Sequence, residues 1–236
     1  MRKCKPMIEF YNEDCLEGMS HYPDNYFDLV VTSPPYNLGE YHQTGGYKFK
    51  AYEAYVDNMP EVDYQEWQIK VINECCRVLK TNGSIFYNHK NRISKGVQIT
   101  PYQWLLKTNA IIKQEIIWFN GSQNFNKCRF YPMTERVYWL SKTTETQFTN
   151  NINHHDLFEW KPVGTGGFHK RSYPENMVKD ILGCFPKGLK VLDPFMGSGT
   201  TLIAAYDMGF DAVGFDTDPD YFRMATERLE EHKAQL

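Results

Sequence analysis

The stretch "VLDPFMGSGTT", Val191 to Thr201, constrains the fold more than any other part of the chain. Lys190 to Asp193 reads as a strand with an apolar centre that ends on an acid. Gly197 and Gly199 then allow a tight turn and a close approach of backbone to a ligand, and Thr200 to Met208 reads as a helix. Asp211 to Phe215 is a second strand, with Asp216 at its end, 17 residues after Gly199. Strand, glycine turn, helix and strand in this order make a parallel pair, and such a pair belongs to a sheet covered by helices. The turn is not a nucleotide-triphosphate loop, because no Gly-Lys-Ser/Thr follows. It also misses the dinucleotide pattern, since the third residue after Gly199 is Leu202. A ligand without a pyrophosphate fits. Asp216 can accept hydrogen bonds from both hydroxyls of a ribose, although Asp216 and Asp218 also suit the cap of a last helix at Pro219 to Lys233. Asp14, past a first strand at Ile8 to Tyr11, is placed to approach the edge of a bound ring or to serve its own turn alone.

The rest of the chain alternates in the same way. Strands are expected at Asp28 to Thr32, Ser84 to Asn88, Ile111 to Phe119 and Arg136 to Leu140. Helices are expected at Tyr64 to Leu79, ended by "KTNGS", at Tyr102 to Thr108, and at Pro174 to Phe185. This predicts a single α/β domain over residues 1–236, a mostly parallel open sheet with helices on both faces. Residues 37–64 read as a long mobile loop, and 144–167 as an aperiodic segment with asparagines and two histidines. His154 and His155 lack further ligands at useful spacing, so no metal is expected. Six cysteines without a Cys-x-x-Cys spacing fit a reduced, cytoplasmic protein. No apolar run approaches a bilayer span and no signal peptide is evident, so no membrane partner is expected.

The second corner is "LVVTSPPYNLG", Leu29 to Gly39. Two prolines after a strand cannot continue a ladder; they fix φ and push Ser33 to an extended conformation. The product is a stiff turn with a hydroxyl, carbonyls without competing N–H groups, and the ring of Tyr36. Such acceptors suit an amino group whose lone pair must point outward, and such a ring suits a flat, flipped-out base. A rigid surface turn with a packed tyrosine is the plainer alternative.

Taken together, the two corners resemble the DNA methyltransferases that modify exocyclic amines of bases with S-adenosylmethionine. Ser33-Pro34-Pro35-Tyr36 resembles their catalytic motif, and Asp193, Pro194, Phe195, Gly197, Ser198, Gly199 and Thr200 their cofactor loop. Catalytic motif before cofactor motif resembles the permuted beta group. By the same resemblance "NEDCLEGM", with Asp14 and Cys15, flanks the cofactor adenine, Asp216 binds the ribose, and the segment from His169 closes over the methionine end. The resemblance implies a Rossmann-like methyltransferase fold with a seven-stranded sheet, S-adenosylmethionine as cofactor, and double-stranded DNA as partner. It implies a base stacked on Tyr36, its amine held by Ser33 and the Pro34 carbonyl. A ring-carbon enzyme would need a nucleophilic thiol in a Pro-Cys pair, and no cysteine follows a proline. Ser-Pro-Pro after a threonine resembles the cytosine-N4 version, where adenine enzymes usually carry Asp; adenine-N6 stays open.

A formal charge of −3 requires phosphate contacts to be local. Candidates are Lys90, Arg92 and Lys95, then Lys127 and Arg129, then Lys161, Lys170 and Arg171, all in expected loops near the active edge. Residues 144–167 offer a small target-recognition region, consistent with a short site or help from 37–64 and a second copy in a homodimer. Methylation of RNA or of a protein amide, and a non-catalytic DNA-binding subunit, are the competing functions.

Overall fold

The run Phe27–Thr32 is buried at every position, the mark of a strand covered on both faces. The computed structural model describes residues 5–38, 57–121, 127, 129–149, 153–160 and 173–235, and sets this strand near the middle of a central sheet. In chain order the elements are β1 (Ile8–Tyr11), α1 (Cys15–Ser20), β2 (Phe27–Thr32), α2 (Glu61–Val78), β3 (Leu79–His89), β4 (Arg92–Ser94) and β5 (Val97–Ile99). Then come α3 (Tyr102–Leu105), β6 (Ile111–Phe119), β7 (Thr134–Ser141), β8 (Leu157–Phe158), α4 (Glu175–Gly183), β9 (Lys190–Asp193), α5 (Thr200–Met208), β10 (Asp211–Phe215) and α6 (Pro219–Ala234).

Among the described residues the main sheet has eight strands in the order β1-β10-β9-β2-β3-β7-β6-β8, and β4 and β5 form a separate hairpin. β7 is antiparallel to both its neighbours, while the other pairs are parallel. The sheet is therefore mixed and eight-stranded, where a mostly parallel seven-stranded one was expected. β7 runs back antiparallel alongside β6, the Asn120 N–H bonding the Met133 carbonyl at 3.1 Å. The eighth strand is two residues long and carries no periodicity to read.

Side chains of β2, β3 and β9 alternate between two apolar cores. Leu29, Val31, Phe86 and Val191 join residues of α4 and α5 on one face. Phe27, Val30, Ile85, Tyr87 and Leu192 join those of α1, α2 and α3 on the other. Each buried aliphatic side chain contributes about 1.5–3 kcal/mol, so a one-residue slip of register would be costly.

Two expected boundaries moved. "KTNGS" does not end a helix in a turn; it lies inside β3 as a bulge, because the β2–β3 pairing jumps from Phe27↔Leu79 to Leu29↔Ser84. Gly83 makes the bulge possible, since a Cβ there would stand 2.6 Å from the Asp28 carbonyl. α2 starts at Glu61, inside the stretch expected as loop; Pro60 precedes it and Glu61 and Asp63 sit at its positive end. Among the described residues no helix is long and apolar enough to cross a membrane.

From β2 the chain moves outward to β3, and from β9 it moves the other way to β10. The carboxyl ends of β2 and β9 thus flank the switch point of the sheet, the place where open α/β sheets bind ligands.

Candidate active site

A cavity of about 390 Å³ opens at this switch point, a size suited to a small-molecule ligand. The turn after β2 supplies Ser33, Pro34, Pro35 and Tyr36, and the turn after β9 supplies Pro194, Phe195, Gly197, Ser198 and Thr200. Asp14 and Cys15 at the start of α1, and Asp216 after β10, complete the wall. The fold thus gathers residues from opposite ends of the chain around one space.

Glycine is required where the second corner turns. Gly199 has φ +79°, and a Cβ on it would lie 3.0 Å from the Cβ of Ala225 on α6. It is the N-cap of α5, so the helix N-terminus reaches the cavity at Thr200. The Gly197 N–H donates to Asp216 Oδ2 at 3.0 Å, and the Asp218 N–H donates to Oδ1 at 2.8 Å. Burial nevertheless dominates and pushes the Asp216 pKa up to about 6. Asp218 caps α6 and also borders the cavity. Asp14 likewise caps α1, Oδ1 accepting from the Leu16 N–H at 2.8 Å. Capping and wall-forming coincide in both residues.

Asp193 lies beneath the cavity, outside its lining. Its fully buried carboxylate accepts from Thr32 Oγ1 (2.8 Å), the Phe195 N–H (3.1 Å), Thr201 Oγ1 (2.6 Å) and the Tyr173 hydroxyl (3.1 Å). These bonds tie the end of β2 to the end of β9 and to α5, and so hold the two corners in register.

At the first corner, the Tyr36 hydroxyl meets Ser33 Oγ at 2.9 Å, Asn88 Oδ1 at 2.9 Å and Glu135 Oε2 at 3.1 Å. Burial, then the Glu135 charge, raises the Tyr36 pKa well above the ordinary tyrosine value, so the hydroxyl keeps its proton. The His89 ring lies 4.5 Å from the Tyr36 ring, centroid to centroid. The Tyr64 hydroxyl donates to the Pro35 carbonyl at 2.7 Å and stands 2.8 Å from His89 Nε2. Buried His89 has its pKa pushed down to about 3 and is neutral.

The basic candidates diverge. Lys95 is exposed in the β4–β5 turn, and Lys127 is exposed between β6 and β7, near half-buried Arg129. Lys90 Nζ lies 5.6 Å from the Tyr36 centroid. Arg92, expected at a phosphate, is buried instead: it forks onto Glu61 at 2.8 and 2.9 Å and stacks on Tyr64 at 4.8 Å. Lys161, His169, Lys170 and Arg171 lie outside the described residues, as do parts of 37–64 and 144–167.

Trp67, Tyr173 and Tyr221 also line the cavity and were not expected there. Trp67 stands edge-on to Phe195 with centroids 5.5 Å apart; in the sequence it is one more apolar position on a helix. Asn88 and Glu135 were missed as well. A polar residue ending the strand Ser84 to Asn88, at the edge where sites lie, was the available signal for the first.

The wall suits a cation. Glu13, Asp14, Asp57, Asp216 and Asp218 border the cavity, and among the described residues no lysine or arginine does. A molecule with a sulfonium, an ammonium, a carboxylate, a ribose and a flat ring finds acids for its cations, a helix N-terminus for its carboxylate and an aromatic pair here.

Residues 27–227 match the model of the family N6_N4_Mtase, described as DNA methylase. The chain is 27% identical to the type II methyltransferase M.BglII of Bacillus subtilis, over 94% of this chain and 68% of that protein. It is 28% identical to M.HinfI of Haemophilus influenzae, over 93% and 67%. The fold matches the PvuII DNA methyltransferase (cytosine-N4-specific) with a TM-score of 0.77, 19% identity, and 98% and 94% of the two chains covered. It also matches TTHA0409 of Thermus thermophilus complexed with S-adenosyl-L-methionine, at TM-score 0.73 and 20% identity over 96% and 94%.

Proposed function

The chain belongs to the N6_N4_Mtase family of DNA methylases and is an S-adenosylmethionine-dependent enzyme that methylates an exocyclic amine in double-stranded DNA; from that premise we propose that the amine is N4 of a flipped cytosine. The observation that carries the site assignment is the shared cavity at the switch point, walled by both the Ser33–Tyr36 turn and the Pro194–Thr200 turn. S-adenosylmethionine supplies an electrophilic methyl group. Asp216 would hold the ribose hydroxyls, Asp14 and Cys15 the ring edge, and Gly197 to Thr200 the methionine end. Phe195 and Trp67 give that region an apolar lining.

Ser33 Oγ and the Pro34 carbonyl accept the two amine hydrogens and leave the nitrogen lone pair directed outward. Tyr36, backed by His89, is the plate on which the base stacks. The protein contributes position and fixed acceptor dipoles, with no covalent nucleophile. Cytosine is supported by the serine at the clamp, where family members acting on adenine usually carry a carboxylate, and by the cytosine-N4-specific PvuII enzyme, which shares the fold.

Methylation of duplex DNA by the purified chain, followed by nucleoside analysis, tests this. N4-methylcytosine is the expected product; N6-methyladenine would overturn the choice of base. Ser33→Ala and Tyr36→Ala should each lower transfer at least about a hundredfold, with cofactor affinity nearly unchanged.

A further inference from the structure

The hydroxyl of Tyr36 has one hydrogen and faces two acceptors. Asn88 Nδ2 donates to the Arg136 carbonyl at 2.9 Å, which turns Asn88 Oδ1 toward Tyr36 at 2.9 Å. Glu135, on β7, presents Oε2 to the same hydroxyl at 3.1 Å, while its Oε1 accepts from Asn120 Nδ2 at 3.2 Å. Ser33 Oγ completes the group at 2.9 Å. With Glu135 ionised, one of the two acceptors has no hydrogen to receive. With one proton on Oε2 every oxygen is satisfied: Glu135 donates to Tyr36, and Tyr36 donates to Asn88. The cluster has a place for one more proton, and an amide cannot take it.

We propose that Glu135 is the terminal acceptor of the proton that the methylated amine must lose, reached through the hydroxyls of Ser33 and Tyr36. This rests on the reading that Ser33 holds the amine. In the transfer the nitrogen lone pair takes the methyl group, and the electron pair of the methyl–sulfur bond stays on sulfur. The nitrogen then carries a positive charge and an N–H proton to shed. That proton passes to Ser33 Oγ, the proton of Ser33 passes to the Tyr36 oxygen, and the proton of Tyr36 passes to Glu135 Oε2. Both hydroxyls end neutral and the carboxylate ends protonated, so no hydroxide or alkoxide forms in the buried site.

The surroundings favour this assignment. Facing Glu135 are Tyr36 beyond β2, Lys90 beyond β3 and uncharged Asn120 beyond β6. Arg136, its neighbour on β7, commits its guanidinium to Glu115 at 2.9 Å. Burial raises the pKa of Glu135, partly offset by the Lys90 charge, which brings the carboxylate closer to a proton acceptor useful near neutrality. His89 is not the acceptor: its Nδ1 is engaged with the Lys90 carbonyl at 2.8 Å and its Nε2 with the Tyr64 hydroxyl. Glu135 does not touch the base; it acts through Tyr36.

The test is single-turnover methylation of duplex DNA at saturating cofactor and DNA, from about pH 5 to pH 9. Saturation keeps Asp216 out of the profile. The wild-type rate should rise to a plateau, with an inflection above the ordinary carboxylate value. Glu135→Gln, which preserves shape and hydrogen bonding, should lower the plateau by about tenfold or more and abolish the inflection, with both dissociation constants within about twofold as evidence of an intact site. Tyr36→Phe keeps the ring, breaks the path, and should lose the same inflection. A Glu135→Gln plateau within about twofold of wild type, or a slower enzyme that keeps the inflection, overturns the proposal. Ser33→Ala separates the two ideas. If it is nearly inactive while Glu135→Gln behaves as wild type, the relay fails and the amine clamp stands. If it keeps the wild-type rate, the clamp itself fails and the relay with it.

Discussion

Asp216 is a carboxylate pulled two ways, made reluctant to ionise by burial and ready to accept by the Gly197 and Asp218 N–H groups. Its pKa of about 6 exceeds the 3.8 of an unperturbed aspartate. A raised pKa means that the folded state binds the proton more tightly, so the group's contribution to stability is complete below 3.8 and is lost as pH rises through about 6. Ribose hydroxyls need the ionised form, which makes cofactor binding release a proton. Affinity should therefore hold above about pH 6 and weaken below it, approaching tenfold per pH unit. Calorimetric titration with a non-reactive cofactor analogue checks this; Asp216→Asn should bind weakly and without pH dependence, and a flat wild-type curve would contradict the role. Asp193 is likewise raised by burial against its hydrogen-bond donors, but it lies outside the cavity lining and those donors satisfy it within the fold. Asparagine there turns an amide N–H₂ against hydroxyl donors, so Asp193→Asn should cost about 2–4 kcal/mol in urea unfolding. That Asp193 ends a strand was legible in the sequence. That it grips Thr32 and Tyr173 was not, because those contacts exist only once two distant segments lie side by side.

At the level of elements, the β9–α5–β10 unit depends on one glycine more than on the other. Gly199 combines φ +79° with a crowded position against Ala225, whereas Gly197 has φ +50° and nothing within 4 Å of its missing Cβ. Gly199→Ala should cost about 2 kcal/mol or more, from left-handed strain plus displacement of α6, and Gly197→Ala about 1 kcal/mol from strain alone. Equal costs in thermal melts would show that packing against α6 is irrelevant. This unit was readable because its determinants are local: a strand ending on an acid, two turn glycines, an apolar helix. Elsewhere the elements depend on partners. The bulge in β3 exists because Gly83 lets β3 pass close to the Asp28 carbonyl, a fact of pairing that "KTNGS" alone presents as a turn. β8 exists because Leu157 and Phe158 meet Ile117 and Trp118 across the sheet edge.

Over the whole molecule, charge is distributed by task. The chain carries −3 overall, the cavity wall is acidic, and DNA must be held by cations outside it. Sequence position could place Lys90, Arg92, Lys95, Lys127 and Arg129 near the active edge, but it could not tell a cation facing solvent from one spent inside. Arg92 is 7% exposed and clamps Glu61 at the start of α2, joining that helix to the β4–β5 hairpin, whereas Lys95 and Lys127 face solvent. The two kinds should separate in one experiment. DNA affinity measured between about 50 and 200 mM salt gives a log–log slope of about −0.9 per phosphate neutralised. Lys95→Ala and Lys127→Ala should each weaken binding and make that slope shallower by about 0.9 where the lysine meets a phosphate, with stability unchanged. Arg92→Ala should leave the slope alone and lower stability by about 2 kcal/mol, since it strands a half-buried Glu61. A shallower slope for Arg92→Ala would mean that its bond to Glu61 opens on DNA, and that α2 and the hairpin rearrange when the substrate arrives.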